Sequence, residues 1–466
     1  MTFRYSILSL VLTGLMGCAS QSELNMIESA ENSGVQTNQQ LIEQLIAQHQ
    51  LNDKTTRQAT SLIPPVRLTD LVSISELNQY LDLALANSPT IQQSLLALKV
   101  AYAQQGVTRS DGLPTVEAGL SAETNKDNSE SYSADLTVSW ELDLWQKIAD
   151  SSAAAEKDIA ISYANYQGTK DLIAANTMRA WLSISLHQQL LDIEQRRLVI
   201  LQNNEALVLE RYQAGLGSLE DLDNAKSTTA TTQATVAAYQ ENVAQSQRSL
   251  TLLTGQWQQD AQLPSVSMTF PEVLNPLDGL AEQNLQGRPD LQQAFYSIEA
   301  ESLRTDAAYK AMLPSISLSA SLQDIAETPS EALFTNPLWS VLGSLSAPLF
   351  QGGKLKSQAE IAELTMAQSY WLYQETLLNA VNEVENAAGQ EYALDKQQQH
   401  LITAIKSAKR SFVSYEQKYR QGLVDIFDLL TVQQQVYDLE AQLTNTTYQR
   451  LINRIDLGLA LGLGVS

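Results

Sequence analysis

Two stretches of this chain, residues 147–214 and 354–421, run for 68 residues each without a proline and with one glycine apiece, Gly168 and Gly389. Proline removes a helix hydrogen bond and glycine weakens a helix, so nothing in either stretch interrupts a continuous helix. At 1.5 Å per residue each would be about 100 Å long, a length that globular domains rarely contain. Leu186, Ile193, Ile200 and Leu207 recur at sevens, the spacing of coiled-coil packing. Each stretch is followed by a Gly-Leu pair, Gly215-Leu216 or Gly422-Leu423. A shorter helix then returns, about Ser218 to Thr254 and Asp425 to Leu457. Helices of about 20 residues, Pro89 to Thr108 and Pro289 to Met312, supply the length the return helices lack. Two short helices end to end can therefore lie against one long one.

The chain repeats itself once. Asn87-Ser88-Pro89 is answered by Gly287-Arg288-Pro289, and Leu113-Pro114 by Leu313-Pro314, both 200 residues on. Arg211-Tyr212-Gln213-Ala214-Gly215-Leu216 is answered by Lys418-Tyr419-Arg420-Gln421-Gly422-Leu423, 207 residues on. A register held across such distant landmarks indicates duplication of a unit far longer than a solenoid repeat. The expected organisation is a signal segment at 1–17, a polar tether at 18–70, a first repeat at 71–263 and a second at 264–466.

Each Leu-Pro precedes a strand pair. Thr115 to Glu123 and Ser133 to Leu144 alternate strictly between apolar and polar residues, as does Ser315 to Gln323, and Leu338 to Leu349 alternates more loosely. Such a period gives one apolar and one wet face, with Trp140 and Trp339 on the apolar side. Strands of about ten residues match an outer-membrane barrel wall. A soluble sandwich would show the same alternation, but four strands neither close a barrel nor build a two-layer core unless several chains contribute.

Composition narrows the partners. The net charge is −23, from 29 Lys+Arg against 52 Asp+Glu, which excludes the basic stripe that nucleic acid needs. The single cysteine excludes a disulfide framework. It stands at Cys18, after a short charged start, the apolar run Ile7 to Leu15, and Gly17. That run is too short to span a bilayer. It reads as an export signal, and the pattern resembles a bacterial lipobox, which implies a lipid on Cys18 and, with Ala19 following, sorting to the outer membrane. No later segment approaches 18 consecutive apolar residues, so any further crossing falls to strands. Residues 19–70 are polar and read as a tether, with a weak helical stretch around Leu41, Leu45 and Ile46.

Over roughly residues 70–462 the duplicated plan and the two Tyr-x-x-Gly-Leu turns resemble the TolC-like outer-membrane factors, in their lipidated OprM or NodT-like branch. The resemblance implies an α+β membrane protein with internal duplication. Three chains would each give four strands to one transmembrane β-barrel and their helical hairpins to a periplasmic tunnel. It implies a homotrimer in outer-membrane lipid that extends into the periplasm, with a periplasmic adaptor and an inner-membrane pump as partners. The function implied is passive conduction of small molecules loaded by that pump. No enzymatic activity, metal or cofactor is expected beyond the covalent lipid. His49, His187 and His400 lack metal-ligand spacing, and no nucleophile motif or phosphate loop is present.

By the same resemblance the turns Gly215, Leu216, Gly217, Ser218 and Gly422, Leu423, Val424 are tips that receive the adaptor. Asp221 and Asp428 each follow their turn glycine by six residues, which with threefold symmetry would bring six carboxylates to one constriction. Two charges about 6 Å apart repel by about 0.7 kcal/mol in water and about 3 kcal/mol at an effective dielectric of 20. Tyr419 matches the family tyrosine that braces the closed tip and is expected to donate to Asp221. Val424 stands where some members carry a locking Arg, and Thr431 where many carry a second Asp, implying a looser lock. Asp221 and Asp428 also suit a plainer role as helix-start acids. Two other functions stay open: a type I protein secretion duct, and a coiled-coil envelope lipoprotein without a pore. The strands argue against the latter. Five methionines beyond the signal, unclustered, speak against metal export.

Overall fold

The computed structural model describes residues 19–53, 67–72, 74–124, 130–256, 266–277 and 285–465. The signal segment and Cys18 lie outside them. The elements run α1 (Ala19–Asp53), α2 (Ser75–Asn87), α3 (Pro89–Ser110), β1 (Thr115–Thr124), β2 (Glu130–Leu142), α4 (Lys147–Gln213), α5 (Leu219–Leu253), α6 (Pro289–Lys310), β3 (Ser315–Ala326), β4 (Leu338–Ser346), α7 (Lys354–Arg420) and α8 (Ile426–Ala460). The duplication is metrical: α3 and α6 have 22 residues each, α4 and α7 67, α5 and α8 35. Among the described residues no helix is long and apolar enough to cross a membrane.

The chain forms two compact units that do not coincide with the two repeats, because both repeats contribute to each. The first unit takes the segment up to Thr37 together with Ser94–Tyr166 and Pro289–Leu378. It carries one antiparallel sheet in the order β1-β2-β3-β4. The register sets Val116, Val138, Ala320 and Val341 in one row and Leu136, Leu322 and Trp339 in another, so one face is apolar and largely exposed. The other face pairs hydroxyls across strands, Ser121 with Ser133 at 2.7 Å, Ser317 with Ser344 at 2.6 Å and Ser321 with Ser340 at 2.8 Å. Asp135 lies over Gly119, where a Cβ would collide with its carboxylate. Asp324 falls on the apolar face opposite Ala134 and accepts a hydrogen bond from Asn336 N at 2.8 Å, fastening the β3–β4 connection.

Below the sheet the helices are tied by ion pairs: Lys157 to Glu299 at 2.9 Å, Arg304 to Asp158, and Lys310 to Asp150. Trp140 and Trp145 donate their indole N–H groups to Gly112 O (2.9 Å) and Pro314 O (2.6 Å), pinning the two Leu-Pro links. β2 stops at Leu142, two residues short of the expected Leu144. The cause is Asp143, whose carboxylate accepts from Ile148 N and Ala149 N and starts α4. β4 likewise stops at Ser346 rather than Leu349, since Pro348 cannot continue the ladder.

The second unit comprises Asn38–Gln93, Gln167–Arg288 and Asn379–Ser466. Its core joins Leu68, Leu71, Leu77 and Leu81 to Met178, Trp181 and Leu182 of α4, Leu250 of α5 and Ile455 of α8. Gly255 ends α5 at φ +69°, and a Cβ there would lie 2.9 Å from Asn87 O, so the position requires glycine on both counts. Buried Glu391 accepts from Arg450 Nε and Arg454 Nε at 2.9 and 3.0 Å.

The segment expected as a polar tether is, over 19–53, one helix. Ala30, Gly34, Leu41 and Leu45 are buried, a spacing that puts one small and apolar stripe along the helix. In the first unit Ser33 Oγ accepts from Gln374 Nε2 at 3.0 Å; in the second, Asn38 Oδ1 accepts from Leu285 N at 2.9 Å. Leu41 and Leu45 are buried rather than solvated, and the helix extends further than the Gln- and Asn-rich composition suggests.

Candidate functional site: the two helix turns

The turn between α4 and α5 follows from its residues. Gly215 has φ +71°; Leu216 N donates to Arg211 O at 2.8 Å and Gly215 N to Tyr212 O at 3.0 Å. This is a Schellman cap, which needs a left-handed residue where Gly215 stands. The second turn copies it: Gly422 has φ +71°, Leu423 N donates to Lys418 O at 2.9 Å and Gly422 N to Tyr419 O at 2.9 Å. Tyr212 and Tyr419 thus hold the same place in the two caps.

The return helices start alike. Ser218 Oγ accepts from Asp221 N at 3.1 Å while Asp221 Oδ2 accepts from Ser218 N at 3.3 Å. Asp425 Oδ1 accepts from Asp428 N at 2.9 Å while Asp428 Oδ2 accepts from Asp425 N at 3.4 Å. Each is a reciprocal capping box, with the carboxylate favoured further by the positive end of the helix dipole. Between the caps Leu216 and Leu423 project into solvent, 72% and 68% exposed. Gly217 is tight, since a Cβ there would sit 3.3 Å from Tyr212 N, whereas Val424 occupies the matching place of the second turn.

The structure brings together the tip residues named from sequence, each turn within itself. It does not join Tyr419 to Asp221. Tyr419 packs beside Leu201, Ile426, Leu429 and Leu430, and Asp221 is held by Ser218. Thr431 Oγ1 donates to Phe427 O at 2.8 Å. Sequence reasoning missed Asp425 as the cap of α8. The signal was present, because Ser218-Leu219-Glu220-Asp221 and Asp425-Ile426-Phe427-Asp428 share the Ncap-x-x-acid pattern.

Further from the tips, α4 and α8 are joined by charge. Arg197 reaches Asp438 at 2.5 Å and Arg196 reaches Glu440 at 3.4 Å, both guanidinium groups lying within 6 Å of the Tyr437 ring centre. Burial pushes the Glu194 carboxyl above its ordinary range, against the pull of Arg197. His187 Nδ1 lies 2.8 Å from Ser246 Oγ, and burial lowers the imidazole, favouring its neutral form. His400 is exposed. Among the described residues no group of three His, Cys, Asp or Glu side chains is placed to hold a metal ion.

The family described as "Outer membrane efflux protein" matches residues 80–256 and 280–463, which take in both long hairpins and all four strands. The chain belongs to the outer membrane efflux protein family. It is 25% identical over 392 residues to the probable outer membrane lipoprotein SilC of Salmonella typhimurium, covering 82% of this chain and 84% of that one. It is 24% identical over 389 residues to the cation efflux system protein CusC of Escherichia coli strain K12, covering 82% and 85%. The crystal structure of the outer membrane protein VceC from Vibrio cholerae superposes with a TM-score of 0.76 at 20% identity, over 87% of this chain and the whole of that one. As an outer membrane efflux protein the chain is a channel: β1–β4 are its share of a barrel wall in the outer membrane, and the long helices are its periplasmic tunnel. The polar sheet face with its serine pairs suits a wet lumen, and the exposed apolar face suits lipid.

Proposed function

We propose that the chain works as a homotrimer and as the passive outer-membrane duct of a tripartite system. A periplasmic adaptor docks on its tips, an inner-membrane pump supplies small-molecule cargo, and a lipid on Cys18 anchors it. The observation that carries the docking role is the matched backbone geometry of the two turns. Two caps and two capping boxes repeated at matched places present Leu216 and Leu423 as rigid apolar points, and rigid exposed anchors lower the entropic cost of binding. The free edges support self-assembly. β1 and β4 are the outermost strands and run in opposite directions, so copies can join edge to edge with continuous antiparallel pairing and leave no strand unpaired. Three copies would give about twelve strands, within the range of membrane barrels. SilC is named a lipoprotein, which fits a lipid on Cys18.

Asp221 and Asp428 are proposed as an acidic ring at the narrowed tip as well as helix caps, the two roles sharing one carboxylate. No chemistry is asked of any residue in conduction. The test is to purify the lipidated protein from the outer membrane after mild crosslinking in cells. The expected result is a trimer that conducts in planar bilayers and carries an adaptor crosslinked near Leu216 and Leu423. A monomer without conductance would overturn the channel; a conducting trimer whose crosslinks avoid the tips would overturn the docking site.

A further inference from the structure

The duplication gives the chain two junctions where a strand hands over to a long helix, residues 143–146 between β2 and α4 and residues 347–353 between β4 and α7, both in the first unit. Lys147 and Lys354, which open the two helices, are 207 residues apart, the offset of the helix turns. The first junction is satisfied within the chain: Trp145 donates its indole N–H to Pro314 O, and Lys147 pairs with Glu141 at 2.7 Å. The second is left open. Leu349 and Phe350 are 95% and 90% exposed, more than any other large apolar side chain among the described residues. Lys354 and Lys356 are exposed as well, and among the described residues neither meets an acid, whereas Lys147 and Lys310 at the same rim are both paired.

The place of this junction identifies what covers it. Leu349 and Phe350 follow the last residue of β4, Ser346, at the end of the sheet from which the long helices leave. β4 is the shortest strand, nine residues against ten, thirteen and twelve. At about 3.4 Å per residue and a tilt near 40°, nine residues rise about 23 Å, a little short of an apolar band about 25 Å tall. Leu349 and Phe350 make up the difference at the periplasmic rim. Gly352 and Gly353, at φ +58° and +87°, then bend the chain into α7. The bend sets an apolar pair one step above a basic pair, the order in which a membrane-surface segment meets acyl chains and then anionic headgroups. Beside the junction a cavity of about 710 Å³ opens between Trp145, Leu313, Phe350 and Leu355, within the size range of ligand sites. Two unpaired lysines beside it, in a chain of net charge −23, select for a negative ligand.

We infer that residues 349–356 form a binding site for an anionic phospholipid of the periplasmic leaflet of the outer membrane, with Leu349 and Phe350 among the acyl chains and Lys354 and Lys356 on the phosphate. The site requires the sheet to lie in the outer membrane and is independent of how many copies close the barrel.

The test uses the full-length lipidated protein in nanodiscs of phosphatidylcholine with or without phosphatidylglycerol. A nitroxide on Phe350→Cys should collide with oxygen in preference to a water-soluble nickel chelate. A nitroxide on Gln399→Cys, far down α7, should show the reverse. A label at 350 that the chelate reaches, or that a second chain shields from both reagents, would overturn the insertion. In a companion measurement, native mass spectrometry counts the phosphatidylglycerol retained by the protein. Lys354→Gln and Lys356→Gln should each lower retention about fivefold, Lys354→Arg should keep it, and Lys406→Gln, on the same helix away from the rim, should leave it unchanged. Parental retention in the Lys354→Gln, Lys356→Gln double variant would overturn the headgroup contact. Displacement of the lipid by soluble glycerol 3-phosphate would mark a free-phosphate site and would also overturn the inference.

Discussion

Asp171 on α4 accepts a hydrogen bond from the backbone N–H of Val465, 2.8 Å away and 294 residues later in the chain. A Cβ on Gly464 would lie 3.3 Å from the same carboxylate, so glycine lets the terminal segment close over it. Burial raises the carboxyl above its usual range, opposed by the Val465 N–H and by Lys170. Between the ordinary carboxylate value and that raised value the folded chain keeps a proton that the unfolded chain has lost. Stability therefore falls as pH rises through this window. Asp171→Asn keeps an acceptor for Val465 and removes the charge, so it should flatten this dependence and melt no lower than the parent at pH 7. Asp171→Ala leaves Val465 N without a partner and should cost about 1–3 kcal/mol. Thermal melting in detergent between pH 4 and 8 checks both; an Asp171→Asn protein with the parental pH slope contradicts the assignment.

A second buried acid behaves differently. Glu391 is 4% exposed and meets Arg450 and Arg454, each at 2.9 Å. Arg450 also reaches Asp395 at 2.8 Å and donates to Gln398 Oε1 at 2.7 Å. Removing Glu391 leaves two guanidinium groups without their shared partner, and breaking a buried pair from one side costs about 3–5 kcal/mol. Glu391→Ala should therefore lower the melting temperature well below that of Glu391→Gln, which keeps an acceptor. Equal melting of the two would show that the acceptor is dispensable, and parental melting of both would show that the charge is as well.

Most of the fold was legible because its signals are long. Helix spans read from missing proline and glycine end within one residue of α4 and α7, and strict alternation found β1 to within a residue. What escaped depended on single side chains. Asp143 ends β2 by capping α4, and Asp324 sits on the apolar face because the β3–β4 connection folds back onto it; neither is a periodic signal. α1 was obscured by composition, since its buried stripe is built of alanine and glycine as much as leucine. At the turns the glycines and the cap acids were readable from spacing. The neighbour of Tyr419 was not, because which helix faces it is decided by packing among Leu201, Leu429 and Leu430.

Gly215 and Gly422 offer a clean test of the tips. No atom lies within 4 Å of an ideal Cβ at either, so a side chain meets only the backbone penalty of φ +71°. That penalty is about 1–2 kcal/mol for an ordinary residue and larger for a β-branched one. Gly422→Ala should leave the trimer assembled and weaken export slightly; Gly422→Val or Gly215→Val should abolish export with the trimer still recovered. Export assays beside SDS-resistant trimer yield separate these outcomes, and normal export from both valine variants would remove the tips from function.

Charge and cap can be separated at Asp428. Its Oδ2 accepts from Asp425 N, a bond that an asparagine oxygen can also accept, so Asp428→Asn should keep α8 capped while removing the negative charge. Asp428→Ala removes both, and loss of a cap interaction costs about 0.5–2 kcal/mol locally. Asp221→Asn makes the same separation in the first turn. If the six carboxylates form a ring, repulsion and cation binding there depend on charge alone. The Asp221→Asn, Asp428→Asn double variant should then lose cation block in planar bilayers and retain parental hydrogen exchange in the first turns of α5 and α8. If the acids serve only as caps, that variant conducts like the parent, while Asp428→Ala frays the start of α8 and alters gating through the fray. The asparagine pair therefore decides between the two roles, since it is the substitution on which they disagree.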